Sequence, residues 1–85
     1  MNNKELFLRA LADVIKERRG SVSITQLSLE SDVSKSILFM IEKANRDPQL
    51  STFFKIAEAL YLKPSELVSL LEKRLGDSFS FIENQ

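Results

Sequence analysis

Apolar side chains recur along this chain at the three- and four-residue spacing of amphipathic α-helices. The first stripe lies between Lys4 and Arg19, and Gly20 follows at a position that suits the left-handed end of a helix. Later segments repeat the pattern, and the last begins at Pro64 and closes at Gly76. The spacing therefore predicts five helices and an all-α fold.

Two short helices are predicted in the middle of the chain, with a tight turn between them. Ser23 followed by Gln26 has the spacing of a capping box, so the second helix begins there and runs to about Ser31. Residues 32–33 form the turn. Ser34 is the cap candidate for the third helix, because its hydroxyl can accept from a free amide of the first turn.

Proline and polar turn formers separate the third helix from the fourth. Residues 45–48 read Asn-Arg-Asp-Pro, and proline disfavours helical backbone in the residue before it. Apolar residues then resume at Leu50 and continue at helical spacing to Leu60, so we predict a fourth helix that ends near Tyr61.

The end of the chain departs from the helical pattern. Over residues 78–81, serine and phenylalanine alternate with a period of two, which is typical of an extended strand or arm. We predict a helical domain over residues 1–76 and an extended arm over residues 77–85, with a frayed terminus as the alternative.

The amino-acid composition argues against several classes of enzyme and metal-binding protein. The chain has 85 residues, of which 44% are hydrophobic and 28% charged, as expected for one small globular domain. It contains no cysteine and no histidine, so thiolate and imidazole groups are missing as metal ligands, nucleophiles or bases. We expect no enzyme activity, no metal and no cofactor. No signal peptide or membrane segment is visible, so we expect a cytoplasmic protein.

Charge is balanced overall but not locally. Twelve basic and twelve acidic residues cancel, which argues against a broad electrostatic clamp on nucleic acid. Between residues 34 and 46, however, Lys35, Lys43 and Arg46 face only one acidic residue, Glu42. The third helix and its flanks are therefore the candidate site for an anionic partner.

Two short helices around a turn at residues 32–34 have the arrangement of a helix-turn-helix. From Leu8 to Leu71 the chain resembles the Cro/repressor-type family of five-helix DNA-binding domains. The matching positions are Val33-Ser34, Ile41-Glu42, Arg46-Asp47-Pro48 and Lys55-Ile56-Ala57-Glu58-Ala59-Leu60. The resemblance implies a transcriptional regulator that binds double-stranded DNA.

The resemblance also implies that the third helix lies in the major groove of DNA. If Leu38 and Ile41 point inward, helical geometry turns the base-contacting candidates outward. These candidates are Lys35, Ser36, Phe39 and Met40. The phosphate-contacting candidates are Thr25, Gln26, Lys43, Asn45, Arg46, Ser51 and Thr52.

The fifth helix carries more apolar residues than one neighbouring helix would cover, so we predict a homodimer. A dimer would place two reading helices about one DNA turn apart on a palindromic operator. The predicted interface residues are Leu67, Leu70, Leu71, Leu75, Phe79, Phe81 and Ile82.

Several positions depart from the family pattern. Ile24 stands where the family usually has a phosphate-binding glutamine, and Asp32 replaces the usual turn glycine. Phe39 and Met40 stand where polar residues are usual, and both residue types are enriched in protein interfaces. The alternative hypothesis is a protein-interaction module or antirepressor that binds a protein partner through Phe39, Met40 and Ile37.

One internal ion pair is also implied by the resemblance. Lys16 of the first helix would pair with Glu42 at the end of the third helix and so tie the two helices together. The alternative is that both side chains are simply exposed, since surface pairs contribute little to stability.

Overall fold

The computed structural model describes residues 1–82, which form an all-helical fold without a strand. The helices are α1 (Asn3–Arg19), α2 (Ile24–Ser31), α3 (Lys35–Glu42), α4 (Leu50–Ala59) and α5 (Pro64–Leu75). The prediction of five helices, with α2 and α3 as the helix-turn-helix, is therefore confirmed. Over these residues, no helix has the length and apolar character needed to cross a membrane.

Serine side chains begin both helices of the motif. The Ser23 hydroxyl accepts from the Gln26 amide at 3.0 Å, and the Ser34 hydroxyl accepts from the Ile37 amide at 3.2 Å. The predicted capping box at α2 is only half formed, because the Gln26 side chain donates to Glu30 at 2.9 Å instead of returning to the cap. Each cap satisfies one of the amides that a helix start leaves free.

The turn between α2 and α3 depends on one residue in the left-handed region. Asp32 has φ 58° and ψ 35°, and its amide donates to the Ser28 carbonyl at 3.0 Å. The Ser28 hydroxyl in turn donates to the Val33 carbonyl at 2.6 Å. Aspartate visits this region more readily than most residues, which explains why glycine is not required here.

The core lies where the five helices meet. Helix α1 packs against α3 and α5, and α4 packs against α2 and α5, so the motif is held from two sides. The side chains with almost no exposed surface are Leu11, Ile15, Leu27, Leu38, Ile41, Ile56 and Leu67. The inward positions predicted for Leu38 and Ile41 are thus confirmed.

Two residues assigned to the dimer interface belong to this core. Leu67 has no exposed surface and Leu71 is 6% exposed, because α5 turns them toward the other helices of the same chain. Leu67 therefore has no surface left for a second chain, whereas Leu71 lines a groove between α1, α4 and α5, and its contact with a second chain stays a prediction. Leu70 and Leu75 are half-buried against the core, and Phe79 is also half-buried.

Glu42 pairs with Arg19 rather than with Lys16, so the implied Lys16–Glu42 pair is wrong. The Arg19 guanidinium donates from Nε and Nη2 to the two carboxylate oxygens of Glu42, each at 2.7 Å. Lys16 lies 4.0 Å from Asp13 instead. Arg19 stands one turn further along α1, and its planar fork matches a carboxylate in a way that an ammonium does not.

The Arg19–Glu42 pair is largely shielded from water. The Glu42 side chain is 8% exposed and the Arg19 side chain is 20% exposed. Hydrogen bonding to Glu42 raises the pKa of Arg19 above its ordinary value, although partial burial opposes this. The same guanidinium donates from Nη1 to the Val22 carbonyl at 2.8 Å, so it also fixes the loop before α2.

The C-terminal segment does not form the predicted extended strand. After Gly76, which has φ 88°, the chain turns and folds back onto the start of α1. The Asn3 side chain donates to the Ser80 carbonyl at 2.6 Å, and the Phe81 ring lies 5.2 Å from Phe7 and 5.1 Å from Phe79 between centroids. The rings find apolar partners within their own chain; residues 83–85 of the predicted arm lie outside the described residues.

Replacing Arg19 is expected to destabilise the fold. Arg19→Ala leaves the carboxylate of Glu42 poorly solvated and without its partner, which should lower the free energy of unfolding by about 2 kcal/mol. Lys16→Ala removes only a long, exposed contact and should change it by less than about 0.5 kcal/mol. Urea unfolding followed by circular dichroism measures both, and equal losses would contradict the assigned pair.

Replacing Phe81 tests whether the C-terminal segment is docked on α1. Phe81→Ala removes both ring contacts and should lower the free energy of unfolding by about 1 kcal/mol. Ile82→Ala is the matched control, since Ile82 is more exposed and next in sequence. Thermal and urea unfolding give both values, and a Phe81 variant as stable as the parent chain would mean that the segment is detached in solution.

Candidate nucleic-acid interface

Helix α3 presents one outward stripe. Ser36, Phe39, Met40 and Lys43 follow one another at three- and four-residue intervals, and all four are exposed. The opposite side of the helix carries the buried side chains of Leu38 and Ile41. Because Ser34 caps the helix and Glu42 is fixed by Arg19, both ends of the stripe are held in place.

Lys35 links the starts of the two motif helices. Its Nζ donates to the Thr25 hydroxyl at 3.4 Å, a long hydrogen bond between exposed side chains. The structure therefore brings together a base-contacting candidate and a phosphate-contacting candidate. Because this hydrogen bond is long and exposed, the Lys35 ammonium loses little when it leaves Thr25 for another acceptor.

Two acidic side chains near the end of α3 are paired with basic residues of α1. Glu42 is occupied by Arg19, and Asp47 pairs with Lys4 at 3.1 Å. None of the ion pairs formed within residues 1–82 involves Lys35, Lys43 or Arg46, and all three are exposed. The acidic side chains next to Lys43 and Arg46 in sequence are thus already paired, whereas Asp32, three residues before Lys35, forms no ion pair within residues 1–82.

The start of α4, which follows Arg46 closely in the sequence, offers backbone amides as hydrogen-bond donors. Gln49 caps the helix without a side-chain hydrogen bond, so the first amides of α4 have no side-chain partner there. Ser51 is exposed and Thr52 is half-buried within this first turn. Free amides and the helix dipole make such a position suitable for a phosphate.

Comparison with known proteins decides the family. A helix-turn-helix family model matches residues 15–67, more than half of the chain. The chain belongs to the Cro/repressor-type helix-turn-helix family. Members of this family are DNA-binding transcription regulators and are typically not enzymes. No curated protein and no solved structure matches the chain.

The centre of the outward stripe of α3 is apolar. Phe39 is 48% exposed and Met40 is 40% exposed, although neither side chain offers a strong hydrogen-bonding group. Gln26, at the start of α2, has its side-chain amide bonded to Glu30, so a phosphate would have to displace that bond. The remaining polar candidates, Thr25 and Asn45, are both exposed.

A second surface was not identified from the sequence. Leu50 and Val68 are 71% and 42% exposed, and they border an apolar groove between α1, α4 and α5. Phe7 lines this groove and also contacts Phe81, so the C-terminal segment adjoins it. Helical periodicity separates inward from outward positions, but it does not show which outward residues of different helices meet.

Proposed function

We propose that this chain is a sequence-specific regulator that binds double-stranded DNA as a homodimer on a palindromic operator. The observation that carries the proposal is the outward stripe of α3, which is capped and clamped at its ends and flanked by cations that are unpaired within residues 1–82. A rigid helix of this kind fits the major groove, where each base pair shows a distinct pattern.

Lys35 and Ser36 are the proposed polar readers of base edges. Lys35 lies at the first position of α3, so its ammonium reaches the N-terminal end of the helix, which enters the groove most deeply. It would donate to guanine O6 and N7, and the Ser36 hydroxyl would bond a base or a phosphate. Phe39 and Met40 complete the proposed base-contacting set.

Phosphate contacts are proposed for residues on either side of the reading helix. Lys43 and Arg46 supply charge after α3, and the first turn of α4 supplies backbone amides. The complete proposed set is Thr25, Gln26, Lys43, Asn45, Arg46, Ser51 and Thr52. These contacts would fix the position of α3 on the duplex without reading its sequence.

The proposed dimer contact is the apolar groove between α1, α4 and α5. Leu50 and Val68 leave apolar surface exposed at its rim, and a contiguous exposed apolar patch often marks a protein–protein contact. Phe81 and Ile82 extend this surface from the adjoining C-terminal segment. Leu70, Leu75 and Phe79 do not line this groove, and they remain separate candidates because their partial burial leaves some surface for a second chain.

A second candidate function is a protein-interaction module that uses the same fold. The exposed Phe39 and Met40 favour it, together with the zero net charge of the chain. In this case Ile37, Phe39 and Met40 would contact a protein partner, and the chain would show little affinity for DNA even at low salt. Loss of partner binding in Phe39→Ala with no effect on DNA would favour this candidate.

Selection of duplexes from a random pool tests the proposed function directly. The full chain should enrich a palindromic sequence, and the mass of the complex should correspond to two chains per duplex. Affinity should fall steeply as salt is raised, because phosphate contacts release counterions. Failure to enrich any sequence at low salt would reject the proposal.

Lys35 and Arg46 should differ in the kind of binding that they support. Lys35→Ala should relax the preference for one base pair, with a loss of about 1–3 kcal/mol on the selected operator. Arg46→Ala should weaken binding to all duplexes alike and lower the salt slope by about 1. Titrations of selected and scrambled duplexes at several salt concentrations separate the two; unchanged binding in both variants would exclude the assigned face.

Val68 tests the proposed dimer contact. Val68→Glu places a charge at the rim of the apolar groove and should convert the dimer to a monomer, because an unpaired carboxylate resists burial. Leu29→Glu is the matched control, since Leu29 is 74% exposed on α2, away from the groove. Sedimentation or light scattering gives the mass, and a dimeric Val68 variant would rule out this contact.

A further inference from the structure

The reading face of α3 has its two largest apolar side chains at its centre. Ser36 lies one turn before Phe39 and Met40, and Lys43 lies one turn after them. A phenyl ring has no conventional donor or acceptor, and a thioether sulfur accepts only weakly. These two side chains therefore have no means of matching the polar pattern of most base edges.

Within the described residues, these side chains remain uncovered. Phe39 and Met40 are 48% and 40% exposed, and Lys35, one turn before Phe39, directs its ammonium to Thr25 at 3.4 Å. About half of the Phe39 surface is thus exposed, on the stripe of α3 that the proposed function places against DNA. A ligand for this patch has to offer an apolar group at the matching position.

The four bases differ in what they offer to such a patch. In the major groove, guanine, adenine and cytosine present donors and acceptors, whereas thymine adds a C5-methyl group beside its O4 acceptor. An apolar side chain over a polar edge strips water from it and returns no hydrogen bond, which is unfavourable. Over a thymine methyl, the same side chain buries apolar surface on both partners.

We propose that Phe39 and Met40 are specificity-determining residues that select the C5-methyl group of thymine. The inference rests on the proposed DNA-binding function and deepens it. It places thymine beneath the centre of α3, whereas the polar readers Lys35 and Ser36 lie nearer its N-terminal end. Sequence selection by this helix then combines a polar contact at one end with recognition of a methyl group at the centre.

Removal of single methyl groups from the DNA tests the proposal. Each thymine of the selected operator is replaced in turn by deoxyuridine, which keeps every donor and acceptor and removes only the methyl. At the thymine beneath Phe39 or Met40, the affinity of the parent chain should fall about fourfold, as follows from ~0.8 kcal/mol per buried methylene at ~1.4 kcal/mol per tenfold change.

Variants of the chain assign the effect to these side chains. In Phe39→Ala or Met40→Ala, the same replacement of thymine should change affinity by less than about 1.5-fold, since the apolar partner of the methyl is gone. Tyr61→Ala is the control, because Tyr61 is an aromatic residue that is 88% exposed after α4, and it should keep the full sensitivity. Circular dichroism checks that all variants fold.

The outcomes separate this inference from the proposed function. A chain that enriches an operator but tolerates uracil at every position overturns the methyl recognition alone, as does sensitivity that persists in both variants. A chain that enriches no duplex overturns the proposed function and this inference with it. In that event, a protein that loses binding on Phe39→Ala identifies the patch as a protein contact.

Discussion

The Arg19–Glu42 pair is the interaction on which the position of α3 depends. Glu42 is the last residue of α3, and Arg19 is the last residue of α1. Two hydrogen bonds of 2.7 Å therefore join the C-terminal ends of these two helices. Apolar packing fixes how deeply α3 lies, but it is not directional. A bidentate contact is directional, so it limits rotation and sliding of α3 along the core.

The same pair shapes the electrostatics of the candidate interface. A free Glu42 would place a negative charge close to Lys43 at the end of α3, where phosphate contacts are proposed, and would repel phosphate. Its partner is Arg19, and Asp47 is likewise paired with Lys4. A chain with zero net charge therefore still carries three cations beside α3, Lys35, Lys43 and Arg46, that form no ion pair within residues 1–82.

Much of this fold follows from sequence, and the exceptions share a cause. Helix boundaries, the serine caps and the inward position of Leu38 follow from local rules of spacing and hydrogen bonding. The partner of Glu42 does not, since Lys16 and Arg19 lie on similar faces of α1 and only the tertiary placement of α3 decides between them. The C-terminal segment is similar: its alternation predicts a strand, but a strand needs a neighbouring strand, and the phenylalanine rings pack on α1 instead.

In the proposed complex, the few cations beside α3 and the apolar centre of this helix contribute differently to affinity and to sequence selectivity. The three cations beside α3, which form no ion pair within residues 1–82, support only modest non-specific affinity, because that affinity grows with the number of phosphates neutralised. A homodimer doubles the number without changing the chain, and the apolar groove leaves a surface for that second copy. Discrimination then depends more on the fit of Ser36, Phe39 and Met40 to base edges than on charge. Such a regulator would bind random DNA weakly and dissociate from it quickly. The apolar patch at the centre of α3 would then add affinity only at matching sequences, and so would increase selectivity.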